Sequence, residues 1–192
     1  MSETHRHDAS CDVAHGSAEP PAAGQAGEKV LVAVFATPVA GFLLRYASDA
    51  GYRTVLAEPE PERAKAAVAA GAAGSGTVVA DLTGLAGLAG RVASDGAAAD
   101  VVVTDHHRGE LGFMLRDALA GPARWVGIMG NPRHEAPHIA ALTDLGVPAA
   151  QISRVHRPIG LNIGSRTPAE IAISTLAGLI ADRNGRPGGF SF

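Results

Sequence analysis

The sequence predicts an α/β domain with a doubly wound, parallel sheet of the Rossmann-like type. Short apolar runs rich in β-branched residues alternate with segments of helical spacing along most of the chain. The first run, Val30–Phe35, is continuously apolar, which is typical of a strand buried on both faces. Strands separated by helices form right-handed βαβ units with helices on both sides of the sheet. We assign 29–184 to this single domain, 1–28 to a disordered tail with few apolar side chains, and 185–192 to a C-terminal coil.

The other elements follow from the same patterns. Further strands are predicted at Arg53–Ala57, Thr77–Ala80, Ala99–Thr104, Arg124–Met129 and Ile152–Val155. Helices are predicted between them at 38–50, 62–70, 82–92, 111–119 and 136–145, several of them closed by a glycine.

The last helix has the clearest start in the chain. Thr167 is a good N-cap, Pro168 suits the first helical position, and Glu170 completes a capping box. Just before it, Gly160 and Gly164 allow the backbone to approach a ligand closely, and a helix N-terminus attracts anions. The loop is therefore a candidate anion site. The alternative is a tight strand-to-helix turn whose glycines serve packing alone.

Composition and charge exclude several classes of protein. A net charge of -3 and a pI near 6.2, without a basic run, argue against nucleic-acid binding. No secretory signal and no apolar run of membrane-spanning length are visible, which predicts a cytoplasmic protein. Cys11 is the single cysteine, so an internal disulfide and a CxxC pair are both excluded.

Two groups of residues invite a metal hypothesis, and neither is strong. The tail contains three histidines and a cysteine that could gather around an ion, but such tails are usually solvated; they are His5, His7, Cys11 and His15. His106 and His107 are adjacent, so in an extended strand their side chains point to opposite faces. We therefore predict no metal site.

The expected strand order, 3-2-1-4-5-6, places a ligand crevice between the first and fourth strands, at the carboxyl ends of the strands. The candidate binding residues all follow a strand or precede the last helix: Thr37, Glu58, Asp105, His106, Gly130, Asn131, Arg133, Gly160, Gly164 and Thr167. Backbone N–H groups near Gly130 and Thr167, together with Arg133, are expected to hold a phosphate.

The residues present leave dinucleotide binding open and nominate no catalytic residue. A G-x-G-x-x-G fingerprint is expected after the first strand, but of its glycines only Gly41 survives in 35–41. Glu58 stands where an acidic residue accepts ribose hydroxyls, which favours NAD(P), although a solvated acidic turn with Glu60 and Glu62 explains it equally well. No nucleophile elbow, Walker loop or histidine-glutamate zinc helix occurs.

Four segments together resemble the C-terminal Rossmann domain of the XdhC/CoxI family in order and spacing: Trp125–Gly130, Leu142–Gly146, Pro158–Gly164 and Thr167–Ala172. The resemblance implies an accessory protein for molybdenum hydroxylases such as xanthine dehydrogenase and carbon monoxide dehydrogenase. It further implies that the chain binds molybdenum cofactor, protects it, delivers it to the apo-enzyme and tends to dimerise. Two alternatives stay open, an NAD(P)-dependent oxidoreductase and a ligand-free module that docks a molybdoenzyme.

Overall fold

A parallel sheet of six strands forms the centre of the protein, in the order β3-β2-β1-β4-β5-β6. The computed structural model describes residues 28–72, 76–79, 98–130 and 136–189. The strands are β1 Lys29–Val34, β2 Arg53–Ala57, β3 Thr77–Val79, β4 Ala98–Val103, β5 Trp125–Ile128 and β6 Val155–His156. Every described pairing is parallel, so the predicted doubly wound class is confirmed.

Helices cover both faces of the sheet. They are α1 Pro38–Asp49, α2 Pro61–Ala69, α3 Leu111–Ala120, α4 Pro137–Asp144, the short α5 Ala149–Ile152, and α6 Pro168–Arg183. On one face, β1 packs through Val30, Val32 and Val34 against the buried side of α3. On the other face, Leu31 and Ala33 pack against α1 and α6. This two-sided burial explains why β1 is apolar at every central position.

The carboxyl ends of the three central strands lie level. Val34, the last residue of β1, pairs with Ala57 of β2 and with Val103 of β4. The residues that come next, Phe35, Glu58 and Thr104, therefore stand side by side at one edge of the sheet. This register builds the candidate site.

Two helices that begin at this edge are capped by threonines, and the cap at Thr167 is the one that the sequence predicts. The Thr37 hydroxyl accepts the N–H of Ala40 and starts α1. Thr167 and Glu170 form a complete capping box at the start of α6. Capping groups of this kind contribute about 1 kcal/mol each.

One predicted strand is misplaced, and several predictions fall outside the described residues. Ile152 ends the short helix α5, and the strand comes later, at Val155–His156. Pro148 precedes the helix and sets it up, because its fixed φ suits a helix start. The helix expected over 82–92 and the tail, up to residue 27, lie in the part of the chain that is not described.

At the opposite edge, Asp100 ties the last helix to the sheet. Its side chain is fully buried and accepts hydrogen bonds from Arg124 at 2.8 Å and from Arg183 at 2.7 Å. Burial raises the pKa of the Asp100 carboxyl, and the two arginines oppose that rise. Arg124 also bonds Asp182 of α6. The C-terminal end of α6 is thus held near the amino ends of the strands.

Among the described helices, none has both the length and the apolar character needed to cross a membrane.

Candidate functional site

The central crevice of the sheet is bridged by two threonines. The Thr37 hydroxyl donates to the Thr104 hydroxyl at 2.9 Å. Thr104 in turn donates to the carbonyls of Val34 and Phe35, at 2.9 and 3.0 Å. Thr37 thus lies between the ends of β1 and β4, where the strand order reverses, as predicted. Its hydroxyl already accepts the N–H of Ala40 in the helix cap and donates to Thr104.

Glu58 lies in the protein interior. Its carboxylate accepts the N–H of Ala36 at 2.8 Å and that of Glu60 at 3.0 Å. Arg108, from the loop after β4, reaches across β1 and bonds Glu58 at 3.2 Å and Glu110 at 2.9 Å. The hydrogen bonds that Arg108 donates to Glu110 and Glu58 raise its pKa above the usual value. Since Glu58 is fully buried, its oxygens face these internal donors.

Phe35 occupies the turn where a dinucleotide fold normally needs glycine. Its backbone φ is 74°, a left-handed value that costs a non-glycine residue about 1 kcal/mol or more. The ring is fully buried, and the Arg108 guanidinium stacks over it at 4.8 Å. Phe35, Arg108 and Glu58 together fill the first turn, where pyrophosphate and ribose would approach the backbone. The residues present do not fit a dinucleotide in the usual pose.

Beyond β4 the edge becomes polar and more open. The Asp105 carboxylate accepts the N–H of His107 at 2.9 Å, which bends the chain. This bend brings the rings of His106 and His107 to a centroid distance of 4.0 Å, whereas an extended strand would separate them. His106 also hydrogen-bonds the backbone of Met129 at the end of β5. Burial, His107 and Arg157 lower the pKa of His106, with Asp105 opposing them.

Arg157 lies against the end of β5. A Cβ on Gly130 would stand 2.6 Å from its Nε atom, so only glycine lets the guanidinium approach this closely. His138, in the first turn of α4, is 5% exposed and lies close enough to Arg157 for its charge to act on the ring. Burial and Arg157 lower the pKa of His138. Its Nδ1 atom finds no hydrogen-bond partner within the described part of the chain.

The loop before α6 divides into a packing part and an exposed part. A Cβ on Gly160 would stand 2.6 Å from the Ser174 hydroxyl, so this glycine, at φ 86°, lets the loop lie on α6. Gly164 has φ 69° and open space around it. The N–H groups of Thr167 and Glu170 are already used in the capping box. For Gly160, therefore, the packing alternative explains the geometry.

The structure brings together part of the predicted set. Asp105, His106 and Gly130 meet at the ends of β4 and β5, whereas Asn131 and Arg133 lie outside the described residues, so their binding roles stay predictions. Sequence reasoning overlooked three residues that the structure places at this edge: Arg108, His138 and Arg157. Arg108 and Arg157 carried a usable signal, because each follows a predicted strand within a few residues. Within the described ranges, no cluster of three or more histidine, cysteine or acidic side chains is arranged to hold a metal.

A pocket of about 460 Å³ opens between α1 and α2, beside Thr37. Small residues such as Gly41 and Ala67 form much of its wall, and Arg45 and Arg63 add positive charge. Both arginines have internal contacts, Arg45 with the Phe42 ring and Arg63 with the Glu60 carboxylate. The pocket is therefore mainly an apolar space beside the edge.

The Rossmann domain of XdhC proteins matches this chain over residues 31–179. The chain belongs to this family. The resemblance seen in the sequence is thereby confirmed, and the XdhC match spans every described strand except the first two residues of β1.

Two relatives show how much of a longer protein this XdhC domain represents. It is 41% identical, over 68 residues, to the uncharacterized protein YqeB of Escherichia coli, covering 35% of this chain and 13% of that protein. A xanthine dehydrogenase structure from Bacillus halodurans superposes with a TM-score of 0.59 at 22% identity, over 82% of this chain and 45% of that one. At this identity the superposition shows the fold alone. The XdhC domain spans less than half the length of either relative.

Proposed function

We propose that this XdhC domain is a cytoplasmic accessory of a molybdenum hydroxylase of the xanthine dehydrogenase or carbon monoxide dehydrogenase type. In this role it binds molybdenum cofactor, shields it and assists its insertion into the apo-enzyme. Family membership supports the accessory role in general. Binding and transfer of the cofactor are the specific parts of the proposal.

The observation that carries the proposal is that the carboxyl ends of the strands differ between the two sides of the sheet, β1 and β2 on one side and β4, β5 and β6 on the other. At β1 and β2, the first turn is occupied by the protein's own Phe35, Glu58 and Arg108, and the pocket beside Thr37 is mainly apolar. The half at β4, β5 and β6 gathers His106, Gly130 and Arg157, with donors and positive charge. A guest with a phosphate fits the second half, as the phosphorylated pterin of molybdenum cofactor requires.

The rival with a nicotinamide cofactor has weaker support. Glu58 favoured it in the sequence, but the buried ion pair with Arg108 turns that carboxylate away from a ligand. A ligand-free docking module would need no buried histidine beside an arginine at the edge, so the grouping of His138 with the partly exposed Arg157 argues for a guest.

Anaerobic titration separates the three possibilities. Purified chain is mixed with molybdenum cofactor, NADH or NADPH, and native mass spectrometry records the bound mass and whether two copies associate. We expect a complex with molybdenum cofactor, none with either nicotinamide, and faster activation of an apo molybdenum hydroxylase when the chain is present. Nicotinamide binding without cofactor binding would overturn the proposal, and docking to the apo-enzyme without any small molecule would leave the module alternative in its place.

A further inference from the structure

We propose that Arg157, His106 and His138 form a binding site for a doubly charged tetrahedral oxyanion at the carboxyl ends of β4, β5 and β6. We call these three side chains the oxyanion site. It deepens the proposed function, on which it rests only for the identity of the guest. None of its members except His106 belongs to the set predicted from the sequence.

Geometry places the positive charge at the centre of this site. Gly130 has no side chain, and the Arg157 guanidinium lies over that gap, with Nε, Nη2 and Cζ 2.6, 3.0 and 3.1 Å from where a Cβ would stand. A guanidinium offers a planar fork of donors that matches two oxygens of a phosphate. Two strands fix the position of Arg157. It directly follows His156, the last residue of β6, and its guanidinium lies against the chain just after β5.

The two histidines approach this charge from different elements. His106 follows β4 and has one ring nitrogen bound to the Met129 backbone, which leaves the other as a donor when the ring is protonated. His138 comes from α4 and is almost fully buried, yet its Nδ1 lacks a partner among the described residues. A buried polar atom without a partner costs about 1 to 3 kcal/mol, and a bound ligand oxygen would recover that cost.

The local charges favour a dianion over a neutral guest. Burial lowers the pKa of both histidines, and the charge of Arg157 acts in the same direction, so a fixed positive charge lies beside both rings. A bound dianion reverses this effect and favours the protonated rings. Asp105 is the acidic neighbour of His106, and one of its oxygens is already bound to the N–H of His107.

Such an oxyanion has two sources, the phosphate monoester of an organic cofactor or free molybdate. Histidine-detected NMR on the full chain tests for both, with inorganic phosphate, glycerol phosphate, molybdate and, as a control, chloride at constant ionic strength. We expect at least one of the three dianions to raise the pKa of both His106 and His138, while chloride does not. Phosphate and glycerol phosphate together indicate a phosphorylated guest, and molybdate alone indicates the metal oxyanion.

The decisive comparison uses two variants with the same change in charge. Arg157→Gln removes the central donor, and Arg186→Gln neutralises an exposed arginine beyond the end of α6. We expect Arg157→Gln to weaken dianion binding about tenfold or more, the loss of one charge-assisted hydrogen bond, and Arg186→Gln to leave it within twofold. His138→Asn is a second variant, and its folding is checked by urea unfolding.

Equal affinity in the two arginine variants, or histidine signals that no dianion moves, overturns the oxyanion site. Its failure and that of the proposed function are distinguishable. If the chain binds phosphate but not molybdenum cofactor, the proposed function is overturned and the oxyanion site stands. If Arg157→Gln binds molybdenum cofactor as tightly as the unchanged chain does, the oxyanion site is overturned and the proposed function stands.

Discussion

The hydroxyls of Thr37 and Thr104 are 2.9 Å apart and join the first turn of the sheet to the end of its fourth strand. In a doubly wound sheet, the connections that leave β1 and β4 run in opposite directions at this point and open a crevice for ligands. Here a side-chain hydrogen bond closes its base. The polar residues further along the edge, toward β6, form the binding site that we propose.

Removing the Thr104 hydroxyl should loosen this closure. We expect Thr104→Val to lower the free energy of unfolding by about 1 to 2 kcal/mol, because the Thr37 hydroxyl loses its acceptor and the shape of the side chain is kept. Thr104→Ser retains the hydroxyl and is expected to lose less. Urea unfolding of both variants measures the difference, and equal losses would show that the methyl group matters more than the hydroxyl.

Glu58 and Glu60 provide a matched pair around Arg108. They lie 3.2 and 3.8 Å from its guanidinium, but the first side chain is fully buried and the second is 48% exposed. We expect Glu58→Gln to cost about 1 to 3 kcal/mol, since the buried carboxylate accepts from Arg108 and from the N–H groups of Ala36 and Glu60, and the amide cannot satisfy all three. Glu60→Gln is expected to cost less than about 1 kcal/mol. Chemical denaturation at neutral pH compares them, and similar costs would contradict the structural role of Glu58.

Gly127 is required by the only tryptophan of the chain. A Cβ at this position would stand 2.1 Å from the Trp125 ring and 2.8 Å from Ile159. We expect Gly127→Ala to cost about 1 to 3 kcal/mol and to shift the emission of Trp125, whose ring stacks on His156 at 4.9 Å. Gly109→Ala is the control, because nothing lies within 4 Å of its Cβ. An unchanged emission spectrum in Gly127→Ala would contradict this packing.

Asp100 and Asp182 offer a second matched pair, at the other edge of the sheet. Both bond Arg124, but Asp100 is fully buried whereas Asp182 is 43% exposed. Asp100→Asn is expected to lower the free energy of unfolding by about 3 kcal/mol, because Arg124 and Arg183 lose their shared carboxylate. Asp182→Asn should lose less than about 1 kcal/mol. Thermal and urea unfolding test the ranking, which a larger effect of Asp182→Asn would reverse.

His138 should make stability depend on pH in mildly acidic solution. Burial and Arg157 hold its pKa below the ordinary 6.5, so the unfolded chain binds the proton more readily than the folded one. The contribution is fully present above pH 6.5 and is lost as the pH falls through the folded-state pKa. His138→Asn is expected to flatten the fall in unfolding free energy below pH 6.5, by at most about 1.4 kcal/mol per pH unit. Parallel slopes for both proteins would show that His138 does not contribute.

Local patterns predicted most of the fold. The apolar run of β1 and the capping box at Thr167 depend on neighbouring residues in the chain, and both appear as predicted. Ile152 was misassigned to a strand because a short apolar run does not distinguish β6 from the helical turn before it.

The candidate site was less predictable because its contacts are distant in sequence. Arg108 meets Glu58 across 50 positions, and that contact is decided by strand register and side-chain direction. His138 looks like an ordinary polar residue near a helix start until the fold places it beside Arg157. The sequence therefore predicted which strand ends meet at this edge, while the contacts along it required the structure.

The clamp of Asp100 by two arginines lies at the end of the sheet opposite to the oxyanion site. The residues that anchor the last helix are thus separate from those of the proposed oxyanion site. Changes in the loops after β4, β5 and β6 are therefore expected to leave the attachment of the last helix intact. The loops at this end of the sheet can therefore be redesigned, while the ion pairs of Asp100 with Arg124 and Arg183 at the other end still hold the last helix.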